Sequence, residues 1–127
     1  MRVRGALNVS EAFSLALHAV AMVATAGESG KETARSMAEK MGASEAHLSK
    51  VLRRLVRAGI LSSSRGPGGG FALARPGRDI SLMDVYESVE GPFRPVDCLA
   101  GARVCREGKC VFGGFLEAMN GGFRDYL

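Results

Sequence analysis

Residues 44–71 read SEAHLSKVLRRLVRAGILSSSRGPGGGF. At about 100° per residue, Leu48, Val51, Leu52, Leu55 and Val56 fall on one side of a helix. His47, Lys50, Arg53, Arg54 and Arg57 fall on the other. One side can pack into a core, and the other offers donors and positive charge to a polyanion. Gly59 ends the helix and Ile60-Leu61 opens an extended run. Arg65 then stands at the base of Gly66-Pro67-Gly68-Gly69-Gly70. The pattern is that of a recognition helix followed by a wing, the reading half of a winged helix-turn-helix.

Upstream, Thr33 to Met41 reads as a short helix that Gly42 breaks, and Ser44 caps the next one. The turn between them is only a few residues, as helix-turn-helix geometry requires. Ala38, Gly42 and Leu48 supply the small residue, the left-handed turn residue and the buried aliphatic that such a motif uses. Downstream, Ile60 to Ser64 and Phe71 to Ala74 can pair as a hairpin across Arg65 to Gly70. The tip glycines remove side chains where a backbone must approach closely. Either a plain hairpin turn or a surface-docking wing fits, and three consecutive glycines favour the wing. A nucleotide phosphate loop is excluded, because its lysine and following helix are absent.

At the N-terminal end, Asn8 or Ser10 can cap a helix running to about Ala24, with Glu11 in its first turn. Val9, Phe13, Ala16, Leu17, Val20 and Ala24 form an apolar stripe, which Leu15, Ala19 and Met22 widen. Such a helix is buried on more than one side, and a second subunit is a natural cover. His18 lies in this apolar setting and reads as a packed core histidine. Beyond the wing, Ser81 with Asp84 forms a capping box for a helix to about Glu90, with Leu82, Val85, Tyr86 and Val89 as its core face. Gly91-Pro92 stops it. Val111, Phe112, Phe115, Leu116, Met119 and Phe123 are spaced as one last helix face, weakened by the pairs Gly113-Gly114 and Gly121-Gly122. The fold class expected is mainly α with a small β-hairpin.

Composition narrows the function. Hydrophobic residues make up 46% of the 127, enough for a core, and without Trp that core is mostly aliphatic. No run approaches the roughly 18 apolar residues of a membrane span. No apolar block near the start precedes a small-residue cleavage site, so a cytoplasmic protein is expected. The net charge is +4, but residues 31–78 hold ten Lys and Arg against three acids, a net of +7. A basic middle in an otherwise acidic chain suits a localised nucleic-acid surface. Nothing arranges a nucleophile with a base or paired acids in a pocket, so no enzyme is expected.

All three cysteines lie between positions 98 and 110, as Cys98-x6-Cys105-x4-Cys110. An odd, clustered set is no disulfide framework and points to metal or redox chemistry. Arg94, Arg103, Arg106 and Lys109 surround them in sequence and favour thiolates. Iron–sulfur binding and unliganded thiols both remain open on this ground. A small iron–sulfur carrier or scaffold with a basic docking face is a further alternative.

Taken together these residues resemble the Rrf-two regulators. These are bacterial winged-helix transcription factors that include an iron–sulfur assembly regulator and a nitric-oxide-sensing repressor. The resemblance is carried by Leu48-Ser49-Lys50 through Leu61, by Arg65-Gly66-Pro67-Gly68-Gly69-Gly70-Phe71, by Ile80-Ser81-Leu82 with Asp84-Val85, and by the three cysteines. It implies a homodimer that binds double-stranded DNA at an inverted-repeat operator, as a repressor sensing redox state. Ser44, His47, Ser49, Lys50, Arg53, Arg54 and Arg57 would contact DNA from the recognition helix, and Arg65, Gly66, Gly68, Gly69 and Gly70 from the wing. Cys98, Cys105 and Cys110 would ligate a 2Fe–2S or 4Fe–4S cluster. Some members add a histidine shortly after the third cysteine, a place held here by Gly113 and Gly114. Others add a carboxylate from the partner subunit's first helix, for which Glu11 is the nearest candidate; Asp97 and Glu107 are nearer in sequence. The domains implied are residues 1–90 as the winged helix-turn-helix with its N-terminal helix, 91–110 as a cysteine cluster loop, and 111–127 as a C-terminal dimerisation helix. A cluster-free regulator of the same fold is the alternative.

Overall fold

A hydroxyl opens each of four helices. Ser10 Oγ accepts from the Phe13 amide at 3.0 Å to start α1 (Glu11–Ala24). Thr33 Oγ1 accepts from Ser36 at 3.1 Å to start α2 (Ala34–Met41). Ser44 Oγ accepts from His47 at 3.3 Å to start α3 (Glu45–Arg57). Ser81 and Asp84 form the reciprocal capping box of α4 (Leu82–Glu90), at 2.9 Å in both directions. Each such cap is worth about 1 kcal/mol. These helices come from a computed structural model that describes residues 9–99 and 110–127. The chain divides into two units, Met1–Gly91 and Pro92–Leu127.

The first unit is a small α bundle with a two-stranded hairpin. Its core is aliphatic: Met37, Leu48, Val51, Leu52, Leu55, Ile60, Leu61 and Val85 are all below 2% exposed. Fully burying each of the larger side chains contributes about 1.5–3 kcal/mol. Phe13 of α1 meets Tyr86 of α4 edge to face at 5.2 Å. The α2–α3 turn is Gly42-Ala43-Ser44, with Gly42 at φ +60°, where a Cβ would be strained. Ala43 N donates to Ala38 O at 3.0 Å and closes the end of α2.

Two expectations for α1 are corrected. Its buried residues are Phe13, Leu15, Ala16, Ala19 and Val23, whereas Val9 and Ala24 are exposed. The buried face is rotated because α1 packs at once on α3, on α4 and on the hairpin. His18 is on the exposed side and not in the core; its Nδ1 lies 2.7 Å from Ser14 O, one turn back. On α4, Leu82 is 40% exposed instead of lining the core.

The hairpin pairs β1 (Leu61–Ser64) with β2 (Gly70–Leu73), in antiparallel register Leu61↔Leu73 and Ser64↔Gly70. Just outside it, Ile60 O still accepts from Ala74 N at 3.0 Å. The hairpin has a further partner that no local pattern signals. Glu32, ahead of α2, bridges Phe71 by two backbone bonds of 3.0 and 2.7 Å.

In the second unit, α5 (Phe115–Tyr126) starts later than Val111. Gly113 at φ +52° and Gly114 precede it, with no side-chain cap. Asn120 brackets the backbone of Val96, accepting from its N at 3.2 Å and donating to its O at 2.8 Å. Phe93 stacks on Phe123 at 5.5 Å. Among the described residues no helix is long and apolar enough to cross a membrane.

Candidate nucleic-acid interface

Helix α3 separates its two faces cleanly. Leu48, Val51, Leu52 and Leu55 are at most 1% exposed, while Lys50, Arg53 and Arg57 are exposed. Thirteen residues at about 1.5 Å each make a rod about 20 Å long. Lys50, Arg53 and Arg57 recur at spacings of three and four, so they line one side of it. Among the described residues, Lys50, Arg53, Arg57 and the wing's Arg65 form no ion pair. Several cations elsewhere are committed. Arg35 meets Glu39 at 3.3 Å, Lys40 meets Glu32 at 2.5 Å, and Arg75 meets Asp84 at 3.2 Å. Among the described residues Arg78, Arg94 and Arg124 are exposed and form no ion pair either, so what sets Lys50, Arg53, Arg57 and Arg65 apart is their grouping on one helix and the wing that follows it.

The start of α3 is more constrained. Ser44 uses its oxygen as the cap, leaving its proton to donate outward. His47 is half-buried, with Nδ1 3.8 Å from Glu11 Oε1. Ser49 is half-buried, with no side-chain hydrogen bond among the described residues. Arg54 differs from its neighbours. Its Nη1 donates to Val89 O at 2.9 Å, in the last turn of α4.

The wing is fixed by its own backbone and by the segment ahead of α2. A Cβ on Gly69 would lie 2.5 Å from Ser64 O, and one on Gly70 would lie 2.8 Å from Glu32 O. Gly70 also sits at φ +150°. The close approach read from the glycines is therefore an approach to the protein's own backbone, that of the wing at Gly69 and that of Glu32 at Gly70. Gly66 and Gly68 face open space at positive φ. Sequence reasoning misses Lys31: its Nζ donates to Ser64 Oγ at 3.3 Å and Gly68 O at 3.4 Å, pinning the tip. Beside it, the Lys40 hydrogen bond holds the Glu32 carboxyl below its usual pKa, against the opposing effect of burial, with help from Ser36. The only local signal for either role is the pair Lys31-Glu32 directly ahead of the α2 cap, which does not specify a hairpin partner.

Of the cysteines, Cys98 is half-buried and Cys110 exposed, and Cys105 and Glu107 lie outside the described residues. Among the described residues no three His, Cys, Asp or Glu side chains gather as a metal site. Asp97 is exposed, and Glu11 faces His47.

Comparison with known proteins places this geometry. The HTH-type transcriptional regulator IscR of Cereibacter sphaeroides is 34% identical over 89 residues, covering 68% of this chain and 57% of that protein. Aligned relatives from Bacillus subtilis and Rhizobium meliloti are spanned over only 38% and 58% of their length. Among solved structures, T. potens IscR superposes with a TM-score of 0.71 at 26% identity, over 94% of this chain and 79% of that one. CymR, the global cysteine regulator of B. subtilis, superposes with a TM-score of 0.77 at 24% identity, over 95% and 89%. These relatives are regulators of transcription and not enzymes, and the fold is their winged helix-turn-helix. The Rrf2 family profile, described as an iron-dependent transcriptional regulator, matches residues 9–127, and the chain belongs to that family.

Proposed function

We propose that the protein is a cytoplasmic homodimer that binds an inverted-repeat operator in double-stranded DNA and represses transcription according to the state of its cysteines. The observation that carries the DNA reading is the set of four uncommitted cations on α3 and the wing, within a family of transcription regulators. A helix fits the major groove, about 12 Å wide. Lys50, Arg53 and Arg57 would neutralise phosphates or reach base edges, with Ser44, His47 and Ser49 at the entering end. Arg65 suits the stronger negative potential of a narrow minor groove. Gly66 and Gly68 leave that approach free of side chains.

A homodimer is supported by α5, where Phe115 and Tyr126 are 55% and 82% exposed. Residues 1–90 then act as the DNA-reading part, 91–110 as the sensing loop and 111–127 as the dimerisation element.

Thiolates are the donors that iron–sulfur clusters take, and Cys98, Cys105 and Cys110 would hold one. When bound, a 2Fe–2S or 4Fe–4S group supplies one-electron chemistry and sensitivity to oxidants. The family description, iron-dependent, favours this reading. The exposed thiol of Cys110 favours a second, in which bare thiols report redox state.

One experiment tests both levels. The protein is purified anaerobically, assayed for iron, sulfide and visible absorbance, and footprinted on its own promoter. Protection of an inverted repeat and absorbance lost in Cys105→Ser are expected. No protected sequence would sink the operator reading; absence of iron and sulfide would leave only the thiol reading.

A further inference from the structure

The carbonyls at the end of a helix need donors from outside it, and the helix end carries partial negative charge. α4 has no basic residue in its last turn, which instead holds Glu87 and Glu90. Two other elements supply what it lacks. Arg54 Nη1 of α3 donates to Val89 O at 2.9 Å, and the Ser10 hydroxyl ahead of α1 donates to Glu90 Oε1. Between the ends of α3 and α4 lies an open cavity of about 480 Å³, lined by Arg57, Ala58, Glu87 and Ser88 among others. Arg54 itself lines that cavity, and its bond to Val89 O spans from one helix end to the other there. Gly91, at φ +85°, then ends the first unit, and Cys98 follows seven residues later.

The geometry points to Arg54 as a positioning residue: it latches the recognition helix to the last turn of α4 and is not itself a phosphate or base contact. This rests on the reading of α3 as the DNA-binding helix for its functional consequence. The bond uses one N–H and one carbonyl, so a lysine ammonium can replace it. Bidentate recognition of guanine by Arg54, by contrast, would need the guanidinium fork.

The test uses the full chain and a duplex of about 30 base pairs, long enough for two half-sites one helical turn apart. The duplex is selected by the wild-type protein from random-sequence DNA. Arg54→Gln is expected to speed amide exchange at Ser88–Gly91 several-fold. It should weaken affinity roughly tenfold, the size of one lost hydrogen bond, and leave the salt slope as in wild type. Arg54→Lys should restore both affinity and exchange.

A salt slope lowered by about one, as for a phosphate contact, would overturn the latch. So would unchanged exchange at Ser88–Gly91, or an Arg54→Lys variant as weak as Arg54→Gln. A wild-type protein that selects no sequence sinks the DNA reading alone, and exchange then still decides whether Arg54 holds α4.

Discussion

Helices α3 and α5 have nearly the same length, thirteen and twelve residues, and both are amphipathic. They use that amphipathicity in opposite ways. α3 buries Leu48, Val51, Leu52 and Leu55 almost completely and presents cations outward. α5 buries only Leu116 and leaves Phe115, Met119 and Tyr126 exposed. A helix whose apolar face is satisfied within its own unit can offer its other face to a hydrated polyanion. A helix whose apolar face stays in water is waiting for an apolar partner. The same period in sequence therefore builds a satisfied core face in one place and an open apolar face in the other, which the proposed function reads as DNA contact and self-association.

The largest effect that sharpens this contrast is in the core of α3. Leu52→Ala should destabilise the first unit by about 2–5 kcal/mol in urea unfolding, because Leu52 is fully buried. Unfolding free energy close to wild type would mean that the α3 face is not the core.

Next comes α5. The double change Phe115→Asp and Met119→Asp should shift the protein from dimer to monomer in sedimentation while the first unit stays folded. Replacing two apolar side chains per protomer with carboxylates removes several kcal/mol of apolar burial from the interface, at about 1.5–3 kcal/mol for each side chain fully covered. A dimer that persists would place the interface elsewhere.

The wing comes third. Gly70→Ala sets a Cβ 2.8 Å from Glu32 O at a φ that L residues rarely adopt. The expected cost is about 1–3 kcal/mol of local strain. DNA affinity should drop while the far-ultraviolet helical signal is kept; unaltered affinity would separate the wing from DNA binding.

The smallest effect is at the wing's buttress. The Glu32 carboxyl is held below its usual pKa by Lys40, so its contribution is present above the ordinary carboxylate pKa and lost as pH falls through the depressed value. Glu32→Gln should lower the melting temperature near neutrality by the equivalent of less than about 1 kcal/mol. The two proteins should converge once the pH falls below that depressed value. A gap independent of pH would assign the loss to packing instead.

Much of this is legible in the sequence, for local reasons. Ser44, Ser81 with Asp84, Gly42 and the leucine spacing of α3 act within a turn or two of themselves, so their roles can be read without the fold. What escapes depends on distant partners. Lys31 and Glu32 meet the wing across more than thirty residues of chain, and Arg54 meets Val89 thirty-five residues away. His18 reads as a core residue because helical period gives a wide apolar arc but not which part of it faces the neighbours. Gly69 and Gly70 are places of close approach, as their lack of side chains implies, but the approaching group is the chain itself. The glycine pair at 113–114 delays α5, since no side chain there can cap it.

The most direct measurement is the salt dependence of duplex binding for wild type and for the combined Lys50→Ala, Arg53→Ala and Arg65→Ala variant. If these uncommitted cations meet phosphates, the slope of log K against log salt should fall by about one for each, roughly three in all. A variant that keeps the wild-type slope and affinity would contradict the assignment of α3 and the wing as the DNA-binding surface.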